Sequence, residues 1–245
     1  MRLVGTGKPW LRAAVFALAL TGAAGMARAA DLAALHPNTT ILFQGDSITD
    51  GGRQPGNDLN HTMGQDYDYI IAATVGAEYP ERNLTFVNRG ISGNTVSDLA
   101  ARWQADTLDI KPDVLSILVG VNDTFFGKGE TLETYAQVYE KLINETQTKL
   151  PGVKIVLGQP FLMPVASHKA SYAADRALVK QRQDVVAALA AKYHLPLVKY
   201  QDAFDAALAK APAEHWSWDG VHPTYAGHGL MAREWRRAVD AAWPE

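Results

Sequence analysis

Short apolar runs bounded by turn residues recur along the chain at Ile41–Phe43, Leu84–Val87, Val114–Val119, Ile155–Leu157 and Leu197–Val198. Each reads as a buried strand. Between them lie longer stretches with apolar residues at helical spacing, at about Tyr67–Val75, Val96–Leu108, Leu132–Leu150, Ala170–Tyr193, Ala203–Ala209 and Tyr225–Ala242. Thr95 and Thr131 stand where N-caps belong, and Pro151-Gly152 closes the third of these helices. The alternation is βαβα, which predicts an α/β protein: a three-layer αβα sandwich around a central parallel sheet of about five strands.

The pattern starts only after residue 30. Before it, Arg2, Lys8 and Arg12 form a basic region, Ala13–Ala24 an apolar one, and Ala27-Arg28-Ala29 a small-residue cleavage site. That order predicts a secretory signal peptide over residues 1–29, and the apolar run falls short of the roughly 20 residues that span a bilayer. No stable membrane anchor is expected. Residues 30–245 then form one domain, with 19 basic against 26 acidic residues. Such a balance argues against nucleic acid or an anionic membrane as partner. The chain has no cysteine, so disulfides, thiolate metal sites and a cysteine nucleophile are excluded.

Chemistry enters at Phe43-Gln-Gly-Asp-Ser47-Ile-Thr-Asp50, where a strand runs through a Gly-Asp turn into a serine. Ser47 is a candidate nucleophile, and Asp46 is suited to secure its turn by bonding nearby N–H groups. A serine needs a base, an orienting carboxylate and donors for an oxyanion. Trp218-Asp219-Gly-Val-His222-Pro supplies the first two on a tight loop. The competing readings of that loop are a helix cap at His222 and a metal site made with His215. Asn122, after the apolar run of the third strand, offers a side-chain amide to an oxyanion, or else is a turn former. Asp123 reads as a local cap or network residue. In Asn88-Arg-Gly90-Ile-Ser-Gly93-Asn-Thr95 either glycine could serve a close backbone approach, Gly90 by taking a positive φ at the strand end.

Ser47, the Gly90–Gly93 turn and Asn122 each follow an expected strand, which brings them to one edge of the sheet. These four blocks, in this order, resemble the SGNH (GDSL) hydrolases. The resemblance spans about residues 40–240 and implies a flavodoxin-like SGNH hydrolase fold. It implies Ser47 as nucleophile, His222 as base and Asp219 as its orienting carboxylate. The oxyanion hole would then consist of the Ser47 N–H, Gly93 and Asn122. Within the family, Gly-Asp-Ser-Ile-Thr-Asp, Gly-Ile-Ser-Gly-Asn-Thr-Val, Ala-Arg-Trp103 and Trp218-Asp-x-Val-His-Pro are most similar to acetylxylan esterases.

The resulting expectation is an exported, cofactor-free and metal-free serine esterase acting on acetylated carbohydrate. The same machinery also serves lipases, lysophospholipases, thioesterases and deacetylases of peptidoglycan or alginate. A carbohydrate-binding protein that has lost its chemistry is a third reading, weakened because every required side chain is present. Trp216 and Trp218 beside the acid–base loop are candidate sugar platforms or core residues, and Tyr67 a further candidate substrate contact. His36, His61, His168, His194 and His228 lack partners at suggestive spacing and read as surface or packing residues. Gly51–Asn60 is expected to be a mobile loop beside the serine. Self-association is left open by the sequence.

Overall fold

The computed structural model describes residue 1 and residues 32–127 and 130–244. Residues 2–29 of the expected leader lie outside the described residues.

Five strands form one parallel sheet: β1 (Thr40–Gly45), β2 (Thr85–Asn88), β3 (Val114–Leu118), β4 (Lys154–Gly158) and β5 (Leu197–Val198), in the order β2-β1-β3-β4-β5. That order is flavodoxin-like. The strands read as apolar runs because both faces of the sheet are covered. Alternate residues of each strand feed two separate cores. Ile41, Phe43, Val114, Leu118 and Val156 point to one, against α2 (Tyr67–Glu78), α7 (Tyr200–Ala207) and α9 (Tyr225–Ala242). Leu42, Leu115, Ile117, Ile155 and Leu157 point to the other, against α3 (Val96–Trp103), α5 (Leu132–Lys149) and α6 (His168–Tyr193). Trp235 of α9 lies over Phe43, its ring centroid 5.5 Å away, and its Nε1 donates to Ser116 Oγ at 3.0 Å. A serine is therefore tolerated inside β3.

Thr95 and Thr131 cap α3 and α5 as expected, Thr95 within a capping box with Asp98. Among the described residues, three short α-helices and a 3₁₀ turn over Pro80–Arg82 were not expected, the helices being α1 (Ser47–Asp50), α4 (Val121–Phe125) and α8 (Ala213–Trp216). The helix expected over Val96–Leu108 is α-helical only to Trp103 and continues as a π-helical turn over Gln104–Leu108. The wider turn carries the Asp106 carbonyl and Thr107 Oγ1 to Gln44 Nε2, both at 2.8 Å, which satisfies the buried NH₂ donor of that β1 amide. Helix α7 begins at Tyr200 rather than Ala203, because buried Gln201 is bonded to Leu162 and Asp205 within its first turns.

The segment Gly51–Asn60 contains neither helix nor strand and is mostly exposed. Arg53 ties its start to the second block, with Nε donating to the Gly90 carbonyl at 2.8 Å.

Candidate active site

The end of β1 turns directly into α1, so that Ser47 occupies the first helical position. Asp46 is the N-cap, its Oδ1 accepting from Ile48 N–H at 3.0 Å. Burial pushes the Asp46 carboxyl up to about 7, against the pull of the Ile48 N–H. A second polar anchor lies beneath. Asn88, buried at the end of β2, donates from Nδ2 to the carbonyls of Thr49 (2.5 Å) and Met63 (2.9 Å) and accepts from Gly90 N–H at 2.8 Å. Nothing in the local sequence marks Asn88 as a donor here, since the two carbonyls it reaches lie 39 and 25 residues away.

From the opposite end of the chain, Ser217 and Pro223 form an antiparallel bridge, and Trp218 N–H donates to the His222 carbonyl at 3.2 Å. The loop between them is thereby held tight. Gly220 turns it at φ +99°, where an added Cβ would lie 2.9 Å from the Met163 carbonyl oxygen. Asp219 Oδ1 accepts from the backbone N–H groups of Val221 and His222, at 2.9 and 2.7 Å, and Oδ2 lies 2.7 Å from His222 Nδ1. His222 Nε2 in turn lies 2.8 Å from Ser47 Oγ. Because ionised Asp219 can only accept, it fixes the ring proton on Nδ1 and leaves the Nε2 lone pair toward the serine.

The hydrogen bond from Asp219 raises the His222 pKa, against partial burial. Burial pushes the Asp219 carboxyl up, but its bonds to the His222 ring, His222 N–H and Val221 N–H outweigh this and hold it below the usual range. Both ring nitrogens of His222 are engaged, so the alternative in which it ligates a metal with His215 loses its donor. The His215 ring packs on Trp216 instead, 4.7 Å between centroids.

Gly93 has φ +82°, and open space surrounds the position of an added Cβ. Among the described residues, neither the Ser47 nor the Gly93 N–H meets a backbone acceptor. Asn122, 8 % exposed at the start of α4, donates one amide hydrogen from Nδ2 to the Asn94 carbonyl at 3.0 Å, leaving the other unspent. Gly90 is not in a positive-φ conformation, contrary to the alternative considered for it. It is a glycine because an added Cβ would collide with the backbone nitrogen of Asp50. Asp123 is a network residue: its Oδ1 accepts from Val96 N–H at 2.9 Å, and burial pushes its carboxyl up to about 7.

Two of the three aromatic candidates belong to the core. Tyr67 is fully buried against Phe43 and Tyr200, with its hydroxyl 3.2 Å from Thr49 Oγ1, so it cannot touch substrate. We expect Tyr67→Phe to lower unfolding stability by about 1 kcal/mol in a denaturant titration and to leave kcat/KM for an acetate ester unchanged. Trp216 is buried at 9 % exposure, donates from Nε1 to the Ala211 carbonyl, and lines a groove of about 620 Å³ between α7 and α9 that holds none of Ser47, Asp219 and His222. Trp218 is the aromatic residue at the site. It is 66 % exposed and stacks on the His222 ring, with centroids 6.0 Å apart and planes at 25°.

Three of the other histidines have carboxylate partners. His228 Nε2 lies 2.8 Å from Asp66 Oδ1, joining α9 to the start of α2. His168 Nδ1 is 2.8 Å from Asp175, and His61 Nδ1 is 2.6 Å from Asp58. Asp58 and His61 repeat the spacing of Asp219 and His222, on an exposed segment. Spacing alone therefore does not single out an acid–base pair.

A family model for GDSL-like lipases and acylhydrolases matches residues 43–230. The chain belongs to that family. It is 35 % identical over 213 residues to the acetylxylan esterase of Geobacillus stearothermophilus, covering 83 % of this chain and 94 % of that protein. The crystal structure of Axe2, an acetylxylan esterase from the same organism, superposes with a TM-score of 0.74 at 33 % identity, over 84 % of this chain and 95 % of Axe2. Structures of Axe2 include catalytic mutants of a serine and of an aspartate. LAE5, an alpha/beta hydrolase from the metagenome of Lake Arreo, superposes with a TM-score of 0.75 at 31 % identity, over 85 % of this chain and 98 % of that one. Among the described residues, no helix is long and apolar enough to cross a membrane.

Proposed function

We propose that this protein is an exported serine esterase that removes O-acetyl groups from acetylated carbohydrate of the xylan or xylo-oligosaccharide type. The observation that carries the reading is the continuous relay of Ser47 Oγ, His222 and Asp219, at 2.8 and 2.7 Å, in a chain of the GDSL hydrolase family. His222 Nε2 takes the proton of Ser47 as Oγ attacks the acetyl carbonyl carbon. The N–H groups of Ser47 and Gly93 and the Asn122 amide receive the oxyanion, each such donor contributing roughly 3 kcal/mol to the transition state. Collapse of this intermediate breaks the bond to the sugar oxygen, which leaves with the proton from His222. Water, deprotonated by the same imidazole, then releases acetate from the acetyl-serine.

The acetylxylan esterase relative and the exposed Trp218 beside His222 support the choice of substrate, since an indole face suits a sugar ring. The test is acetate release from acetylated xylan and xylo-oligosaccharides, beside p-nitrophenyl acetate and octanoate. We expect release from the xylan substrates, with Trp218→Ala raising KM for the oligosaccharide more than for p-nitrophenyl acetate. Preference for the octanoate, or cleavage of the synthetic acetate alone, would overturn the substrate assignment.

A further inference from the structure

One partly buried cation is spent at the junction of three blocks of the site, and the mechanism above does not use it. Arg102, in the last turn of α3 and only 16 % exposed in its side chain, donates from Nε to Asn94 Oδ1 at 2.9 Å. Nη1 reaches the Arg89 carbonyl at 2.8 Å and Asp106 Oδ2 at 3.0 Å, and Nη2 the Gly45 carbonyl at 3.3 Å. Gly45 precedes the Asp46-Ser47 turn, Arg89 follows β2, and Asn94 follows Gly93. The Asn94 carbonyl is also the acceptor of the Asn122 amide. A single guanidinium thus grips the first block and the second directly, and the third through Asn94.

Its own position is fixed from the other side. Asp106 sits on the π-helical turn, whose carbonyl is anchored on Gln44 of β1. An ordinary α-helical continuation would rotate Asp106 and its carbonyl away from these partners. Resting on the esterase reading above, we propose that Arg102 is a positioning residue for the oxyanion hole: it sets the Gly93–Asn94 turn and the Asn122 amide relative to Ser47. Lysine cannot replace it, since an ammonium is one point of charge without the planar fork that reaches four separate acceptors.

The test is Arg102→Lys beside wild type and Ser47→Ala, with p-nitrophenyl acetate as substrate. Arg102→Lys is expected to fold and to lower kcat about 10²-fold with KM little changed, the signature of lost alignment in the transition state. Asn94→Ala, a milder change at the surface end of the network, is expected to lower kcat about tenfold by the same route. Asn94→Asp, which keeps an acceptor for Nε, should recover most of that loss, which a general loss of stability would not reproduce. Folded Arg102→Lys with wild-type kcat overturns the proposal. If that variant does not fold, equal kcat for Asn94→Ala and wild type overturns it. A wild type without Ser47-dependent hydrolysis would remove the esterase reading and this proposal together, whereas a Ser47-dependent wild type with insensitive Arg102 and Asn94 variants removes only the latter.

Discussion

Ser47→Ala is expected to lower kcat for p-nitrophenyl acetate by roughly 10⁵-fold while leaving the fold intact. The side chain is small and half-buried, and His222 is its hydrogen-bond partner. Losing the hydroxyl opens no core cavity. The His222 side chain, 36 % exposed, can take a water on Nε2 in its place. Stability and rate therefore separate: the melting curve should superimpose on wild type, and the residual rate should be what oxyanion donors and binding alone supply. Purified variant retaining more than a small fraction of the wild-type rate would show that another group attacks the ester.

Asp219→Asn is expected to lower kcat about 10⁴-fold, for a reason written in its contacts. Oδ1 accepts two backbone N–H groups, so an asparagine would turn its oxygen toward them and its NH₂ toward the His222 ring. Nδ1 must then accept, the ring proton moves to Nε2, and the base faces Ser47 with no lone pair. The pH profile shifts as well. In wild type the bond from Asp219 favours the imidazolium and raises the His222 pKa, so neutral, active His222 accumulates only above the usual 6.5 or so. In the variant that stabilisation is gone, and the acidic limb of kcat/KM should move to lower pH. A limb that stays in place would show that the titration belongs to another group.

What the sequence disclosed follows the same division between local and distant causes. The strands were legible because a sheet covered on both faces needs uninterrupted apolar runs, and the site blocks because each is a contiguous stretch at a strand end. Helices α1, α4 and α8, of four or five residues, are too short to show a period. The π-helical turn after Trp103 answers to Gln44, some sixty residues earlier. Burial misled in the same way: Trp216 lies beside the acid–base loop and Tyr67 follows the Gly64-Gln65-Asp66 turn, yet their rings turn into the core. Arg102 shows in the sequence only within the Ala-Arg-Trp103 match, since two of its acceptors are main-chain carbonyls of other blocks and a third is the Asn94 side chain.

Ser47 and His222 stand 175 residues apart, and the loop bearing His222 is closed by the Ser217–Pro223 bridge and by Met163 N–H donating to the Gly220 carbonyl. A ribosome releasing this chain from its N-terminus delivers Ser47 175 residues before His222. On the proposed mechanism, a chain broken off before His222 carries the nucleophile without its base. On that mechanism, hydrolytic competence waits until the segment bearing His222 is made and closes on Ser47.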